Sequence, residues 1–341
     1  MANQKPVVGI TMGDPAGIGA EIIVRSLAVP KVREACYPVV IGDLETMRKT
    51  ANEMLKMSME FYGISAIKRD ELTDERVAVL DMSNVKFPIP YRQVDEQCGR
   101  AAMDYIRKSA ELANAHIIDA IVTGPIHKES INLAGAPYAG HTEAYADLTN
   151  TEHYAMMLVE GDFRVVHVST HVSLREACER ATKDRVLHTI KLAYDACKRM
   201  KITEPRIVVA GLNPHSGEGG LFGREEIDQI MPAIDEAKKM GMNVTGPIPP
   251  DTVFSRAKGG LFDVAIAMYH DQGHIAMKVS SFQWDQEKQA WTTIKGVNVT
   301  LGLPVIRTSV DHGVAFGKAG KGIANPESMI EALELAALMA S

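Results

Sequence analysis

Short apolar runs alternate with longer amphipathic stretches along most of the chain. That alternation is the mark of an α/β architecture with a largely parallel sheet. PVVGITM (6–12) predicts a strand, followed by a Gly-rich turn and a helix over 18–27. YPVVIGD (37–43) and RVAVLDM (76–82) predict two more strands, then a helix over 97–115 and a strand in IDAIVTG (118–124). FRVVHVSTH (163–171), PRIVVAGLNPH (205–215) and DVAIAMYH (263–270) predict three strands that each run out at a histidine. Helices over 174–200 and 224–240 separate them, the second with Gly241 as its C-terminal cap. GVNVTLGLPVIRTS (296–309) is the last apolar stretch before a helix signalled by Asn325-Pro326.

No repeat of domain size appears. The pentapeptide VTGPI occurs at 122–126 and again at 244–248, which reads as reuse of a strand-to-turn sequence. No low-complexity linker marks a boundary, so two domains are expected to exchange the chain more than once. SSFQWDQEKQAWTTIKG (280–296) holds both tryptophans around polar DQEKQ and predicts a hairpin or flap. The Met-rich EMLKMSME (53–60) reads as helical packing.

Charge and composition narrow the function classes. A formal net charge of −6 argues against a general nucleic-acid binder. No stretch approaches the roughly 20 apolar residues that span a bilayer, and the N-terminus lacks a secretory pattern. Cys36, Cys98, Cys178 and Cys197 form no CxxC pair, so the expected compartment is a reducing cytoplasm.

The candidate chemistry starts from the three strand-terminal histidines, His171, His215 and His270. Ligands of open parallel sheets bind beyond the carboxyl ends of the strands. A hydrogen-bonded structural role is the ordinary reading of any one of them; three together point to a convergent site. Imidazole is a common ligand of borderline metals, so the three can hold a divalent ion with positions open for substrate. Asp271 is a further ligand or an orienter of one. The long spacing matches no short zinc motif.

Other segments are more ambiguous. MGDPAGIG (12–19) is neither GxGxxG nor a P-loop, so phosphate binding and a plain tight turn stand side by side. Asp43 mimics a ribose-binding acid but lacks the glycine fingerprint. GLNPHSGEGGLFGREE (211–226) allows close backbone approach to a ligand. In GHTEAYAD (140–147), His141, Thr142 and Glu143 open a helix, with capping by Thr142 as the bland alternative. Lys278, Lys295 and Arg307 are the basic residues nearest these segments. Arg307 lies inside apolar LPVIRTSV, where a buried guanidinium needs an anionic partner. His116, His153 and His188 carry no assigned role.

Taken together, MGDPAGIGAEI, VTGPIHK, GHTE, STH, GLNPHSGEGG, YHDQGH, GVNVTLGLPVIRTSVDHG and AGKGIANP resemble the 4-hydroxythreonine-4-phosphate dehydrogenase family of vitamin B6 synthesis. The resemblance runs nearly end to end. It implies a three-layer α/β/α fold related to isocitrate and isopropylmalate dehydrogenases, with two subdomains around a cleft. These are expected at 1–125 plus 300–341 and at 126–299, the second carrying metal ligands and dimer contacts. It also implies a homodimer with a shared active site, NAD as cofactor, and one divalent metal (Zn, Mg, Mn or Co) on His171, His215 and His270. Implied substrate contacts are His141, Thr142, Lys278, Asn298 and Arg307. The tail DHGVAFGKAGKGIANP (311–326) is similar to the nicotinamide-cofactor loop of the wider group, with His312, Gly313 and Asn325 beside NAD. Gly317-Lys318 stands where relatives carry Asp-Ile, a departure at the ribose contact.

Two departures bear on substrate. His274 stands where biosynthetic members carry Leu-Pro, and the tryptophan segment reads as an insertion. Both are more similar to the paralogous branch that oxidises D-threonate or D-erythronate 4-phosphate. The expected reaction is oxidation of the C3 hydroxyl with NAD⁺, then loss of CO₂ to give dihydroxyacetone phosphate. Asp271 or Lys278 would assist proton transfer. The alternative substrate is 4-hydroxythreonine 4-phosphate. A metal-dependent hydrolase or aldolase without NAD, and a non-catalytic sensor of sugar-acid phosphates, are the readings from other classes; NAD binding by calorimetry separates the first of these.

Overall fold

A computed structural model describes residues 5–287, 289–294 and 296–341. In chain order its strands are β1 (Val7–Thr11), β2 (Tyr37–Gly42), β3 (Phe61–Ile64), β4 (Val77–Asp81), β5 (Ala120–Thr123), β6 (Ala155–Glu160) and β7 (Phe163–His167). They continue with β8 (Arg206–Ala210), β9 (Asn243–Ile248), β10 (Val264–Ala267), β11 (Phe282–Asp285), β12 (Ala290–Ile294), β13 (Val297–Leu301) and β14 (Ile306–Val310). The chain divides into two compact units, 1–152 with 303–341, and 153–302.

In the first unit the strand order is β3-β4-β2-β1-β5-β14, and the pairings are parallel. Its central strands are buried along their length, which is why VVGIT and AIVT read as continuous apolar runs. The second unit has the order β13-β6-β7-β10-β8-β9. There β6 pairs antiparallel with β13 and β7, while β10 pairs parallel with β7 and β8. Mixed α/β architecture is therefore as the apolar pattern predicts.

Several boundaries differ from the sequence reading. The expected division at 125/126 and 299/300 falls at 152/153 and 302/303, so His141 and Thr142 go with the first unit. The cause is the helix His141–Leu148, whose Tyr145 hydroxyl meets Ser109 at 2.6 Å on the helix Glu96–Asn114. The expected helix over 174–200 is two, Leu174–Arg180 and Lys183–Arg199, with Thr182 capping the second. EMLKMSME is not a packed helix: helical geometry ends at Met54 and the chain runs on into β3. The helix over 224–240 begins with a wider turn at Glu226–Ile230 and ends as expected at Gly241, whose φ is +83°. The tryptophan segment forms the antiparallel pair β11–β12, as its hairpin reading requires. Lys295 lies outside the described residues.

Candidate active-site clusters

The three histidine strands end earlier than the apolar runs suggest. His167 is the last residue of β7, and His171 lies in the loop beyond it. β10 stops at Ala267 because the Gln272 side chain takes the Met268 amide at 2.7 Å. His270 then opens the helix His270–Ser281. The amide of that same glutamine donates to Gly211 O at 2.9 Å, tying this turn to the end of β8.

His171 and His270 come together, with ring centroids 5.9 Å apart and planes tilted by 44°. Both line a cavity of about 630 Å³, together with Tyr269, Asp271 and Glu176. His270 Nδ1 donates to Asp271 Oδ1 at 2.6 Å, which leaves Nε2 as the ring nitrogen available to a cation. A carboxylate hydrogen-bonded to one ring nitrogen fixes the tautomer and holds the other nitrogen free for a cation, so His270 beside His171 suits a divalent metal. His215 is not brought to them. Its ring lies 6.2 Å from Phe222, and among the described residues no group of three donors is arranged to hold a metal.

His215 sits in a loop whose residues 215–219 all have positive φ. Buried Glu226 organises that loop, its Oε1 accepting the amides of Leu212 and Asn213 at 2.7 Å each. A Cβ on Gly217 would stand 2.8 Å from Glu226 Oε2, so glycine is required there by contact as well as by φ. Lys278 lies farther along the helix His270–Ser281, its Nζ 4.7 Å from the Phe282 ring centroid. Asn298, half-buried on β13, keeps a buried Oδ1 without a hydrogen-bond partner among the described residues.

The first unit gathers the other predicted contacts. His141, Thr123, Lys128 and His312 line a cavity of about 170 Å³. Thr142 is buried in the first turn and makes no capping bond, so its bland alternative does not hold. Arg307 is buried on β14, donates to Thr123 Oγ1 at 2.6 Å, and stands 5.8 Å from the Tyr145 ring centroid. Burial pushes its pKa down to about 10, so the guanidinium stays cationic at neutral pH. Burial, and then the nearby Arg307 charge, hold His141 well below the usual imidazole range, and its Nε2 has no hydrogen-bond partner among the described residues. A neutral imidazole and a buried cation suit an anionic, hydroxyl-bearing ligand.

The cofactor candidates divide. His312 joins the His141 cavity, and burial lowers its pKa. Gly313 is exposed, with open space where a Cβ would stand. Asn325 Oδ1 accepts the Glu327 amide at 2.8 Å, a capping role for the last helix, Glu327–Ala340. Asp43, the ribose mimic, caps the helix Leu44–Lys49 through Thr46. MGDPAGIG is a tight turn: Asp14 Oδ1 accepts the Ala16 amide at 2.9 Å. Sequence reasoning passed over His167, Glu226 and Gln272. The signal for the first was present, since VVHVSTH offers two histidines and the alternation ends at the earlier one.

A family model described as pyridoxal phosphate biosynthetic protein PdxA matches residues 34–336. A protein of Oceanobacillus iheyensis named "Putative D-threonate 4-phosphate dehydrogenase" is 44% identical over 338 residues, covering 98% of each chain. A solved 4-hydroxythreonine-4-phosphate dehydrogenase from Klebsiella pneumoniae superposes with TM-score 0.86 at 40% identity, covering 100% of this chain and 99% of its own. The enzyme of that name from Burkholderia phymatum gives 0.83 at 41%, covering 99% of each chain. The chain belongs to the PdxA family.

Proposed function

We propose that the chain is an NAD-dependent dehydrogenase that oxidises D-threonate or D-erythronate 4-phosphate at C3 and releases CO₂, giving dihydroxyacetone phosphate. The observation that carries this reading is end-to-end identity of 44% to a relative named for D-threonate 4-phosphate. A divalent metal, when bound, supplies Lewis-acid polarisation of substrate oxygens. His171 and His270 are its proposed ligands, with His215 as the third of the family pattern. Arg307, His141, Thr142, Lys278 and Asn298 are proposed to hold the substrate, the buried guanidinium pairing with an anionic group. Asp271 or Lys278 moves the proton, and His312, Gly313 and Asn325 flank NAD.

A homodimer in the cytoplasm is part of the same reading. Exposed Ile275 and Val279 lie one turn apart on the helix His270–Ser281, a patch that suits a second copy. The four cysteines are free, as a reducing compartment requires. Among the described residues no helix is long and apolar enough to cross a membrane.

The test is NADH formation at 340 nm with a panel of D-threonate, D-erythronate and 4-hydroxythreonine 4-phosphates. Turnover confined to the last would assign the vitamin B6 substrate named for the solved relatives. Turnover with none, with and without added divalent metal, would overturn the reading.

A further inference from the structure

His270 does not stand alone on its helix. The ring of His274, one turn on, lies face to face with it, centroids 3.7 Å apart and planes within 12°. His274 Nδ1 donates to His270 O at 3.0 Å, which anchors the second ring to the backbone that carries the first. Beneath it lies His167, wholly buried at the end of β7, 4.7 Å from His274 with planes at 43°. His167 Nδ1 donates to Met156 O at 3.2 Å on β6. The three rings form a column that runs from the half-exposed His270 into the core of the second unit.

The column answers a question that rotamers leave open. The final torsion of histidine joins an sp³ to an sp² atom, and its energy well is broad. Staggering therefore does not set which way His270 Nε2 points. Asp271 holds one edge of the ring, and Asp271 is itself exposed. A flat partner at 3.7 Å hinders rotation of the ring out of its plane, while the Asp271 hydrogen bond selects which edge carries Nδ1.

We infer that His274, seated on His167, is a positioning residue that fixes the ring plane of His270 and so sets the affinity of the His171–His270 pair for a divalent cation. The inference rests on the metal-dependent reading above. It predicts that the column acts on metal affinity first and on turnover through it.

The test uses the full chain, stripped of metal and titrated with Co²⁺, read by its visible absorption rather than by activity. His274→Leu should weaken Co²⁺ binding about 10- to 100-fold, the range for partners that orient a ligand. His274→Phe, which keeps a flat ring, should stay within about threefold of the unaltered chain. Equal affinity and an equal spectrum in His274→Leu would overturn the inference, as would a loss in His274→Phe as large as that in His274→Leu. Should either variant fail to fold, nuclear Overhauser contacts between the His270 and His274 rings in the unaltered, histidine-labelled chain decide it, and their absence overturns it. A chain that takes up no Co²⁺ at all removes the metal-dependent reading and the inference with it, an outcome distinct from equal uptake by the variant.

Discussion

The carboxylate of Glu21 accepts the Gly320 amide at 2.8 Å and the Ala324 amide at 3.4 Å. Glu21 is buried on the helix Gly19–Leu27, and Arg25 on the same helix donates to Gly322 O. The element that follows the Gly-rich turn thus grips the 317–325 segment of the proposed cofactor loop. In this fold the MGDPAGIGAEI motif earns an architectural explanation: its turn delivers a helix whose acid shapes a distant loop.

Glu21→Ala would leave two amides without their acceptor, at a cost of about 1–3 kcal/mol in unfolding free energy. Hydrogen exchange at Gly320 and Ala324 should accelerate, and KM for NAD should rise with little change in kcat. Glu21→Gln keeps one acceptor oxygen and should fall between. Unchanged exchange at both amides would show that the loop is held by something else.

Arg307→Lys tests the buried cation. Lysine keeps the charge but presents a point donor, which cannot serve Thr123 and an anionic ligand together as the guanidinium fork does. The expected loss in kcat/KM is about 2 kcal/mol or more, roughly 30-fold or more, with the far-ultraviolet spectrum unchanged. Competitive inhibition by inorganic phosphate should weaken in parallel if Arg307 holds an anionic group. Near-normal kcat/KM would remove Arg307 from the substrate site.

The outcome for the histidines shows how far a sequence can be read. Apolar runs located β7, β8 and β10 because buried strands in a sheet covered on both faces leave a plain hydrophobic record. The ends of those strands are set by side chains such as Gln272, which replaces a ladder partner through a contact no periodicity reports. Arg307 was legible because an arginine inside LPVIRTSV violates its surroundings. His167 left a mark in VVHVSTH, but its role did not show there, because it depends on Gly273 and His274 passing over it from a helix about a hundred residues away in sequence. Thr142 looked like a cap by spacing, yet Gly140 occupies the capping position.

Asp14 gives a prediction in pH. Burial raises its carboxyl pKa above the usual range, against the lowering effects of the Ala16 amide, Ser130 and His127, while Asp95 adds to the rise. Its Oδ2 is buried without a hydrogen-bond partner among the described residues. The folded chain therefore binds this proton more tightly than the unfolded chain, and its contribution to stability falls as pH rises from about 4 through the folded value. Asp14→Asn keeps the oxygen that accepts from Ala16 and never ionises. The variant should gain on the unaltered chain as pH rises, with the two closest at about pH 4. Urea unfolding at pH 4 and pH 8 measures it; a gap that is equal or larger at pH 4 contradicts the assignment.

Gly273 is the pivot of the histidine column. A Cβ built there runs into His167 Nε2 and stands 2.8 Å from Val165 Cγ1, both on buried β7. His167 has little room to swing aside, since its side chain is wholly buried and its Nδ1 is held by Met156 O at 3.2 Å. Gly273→Ala should therefore destabilise the chain despite the higher helix propensity of alanine, by about 1–3 kcal/mol as overpacking does. Pairing it with His167→Ala vacates the contested space, so the double variant should be more stable than the sum of the two single losses predicts. Urea unfolding of the four chains gives the coupling directly, and residues in contact couple by about 0.5–3 kcal/mol. Additive losses would mean that Gly273 and His167 do not meet as they do in this fold, and the column beneath His270 would lose its floor.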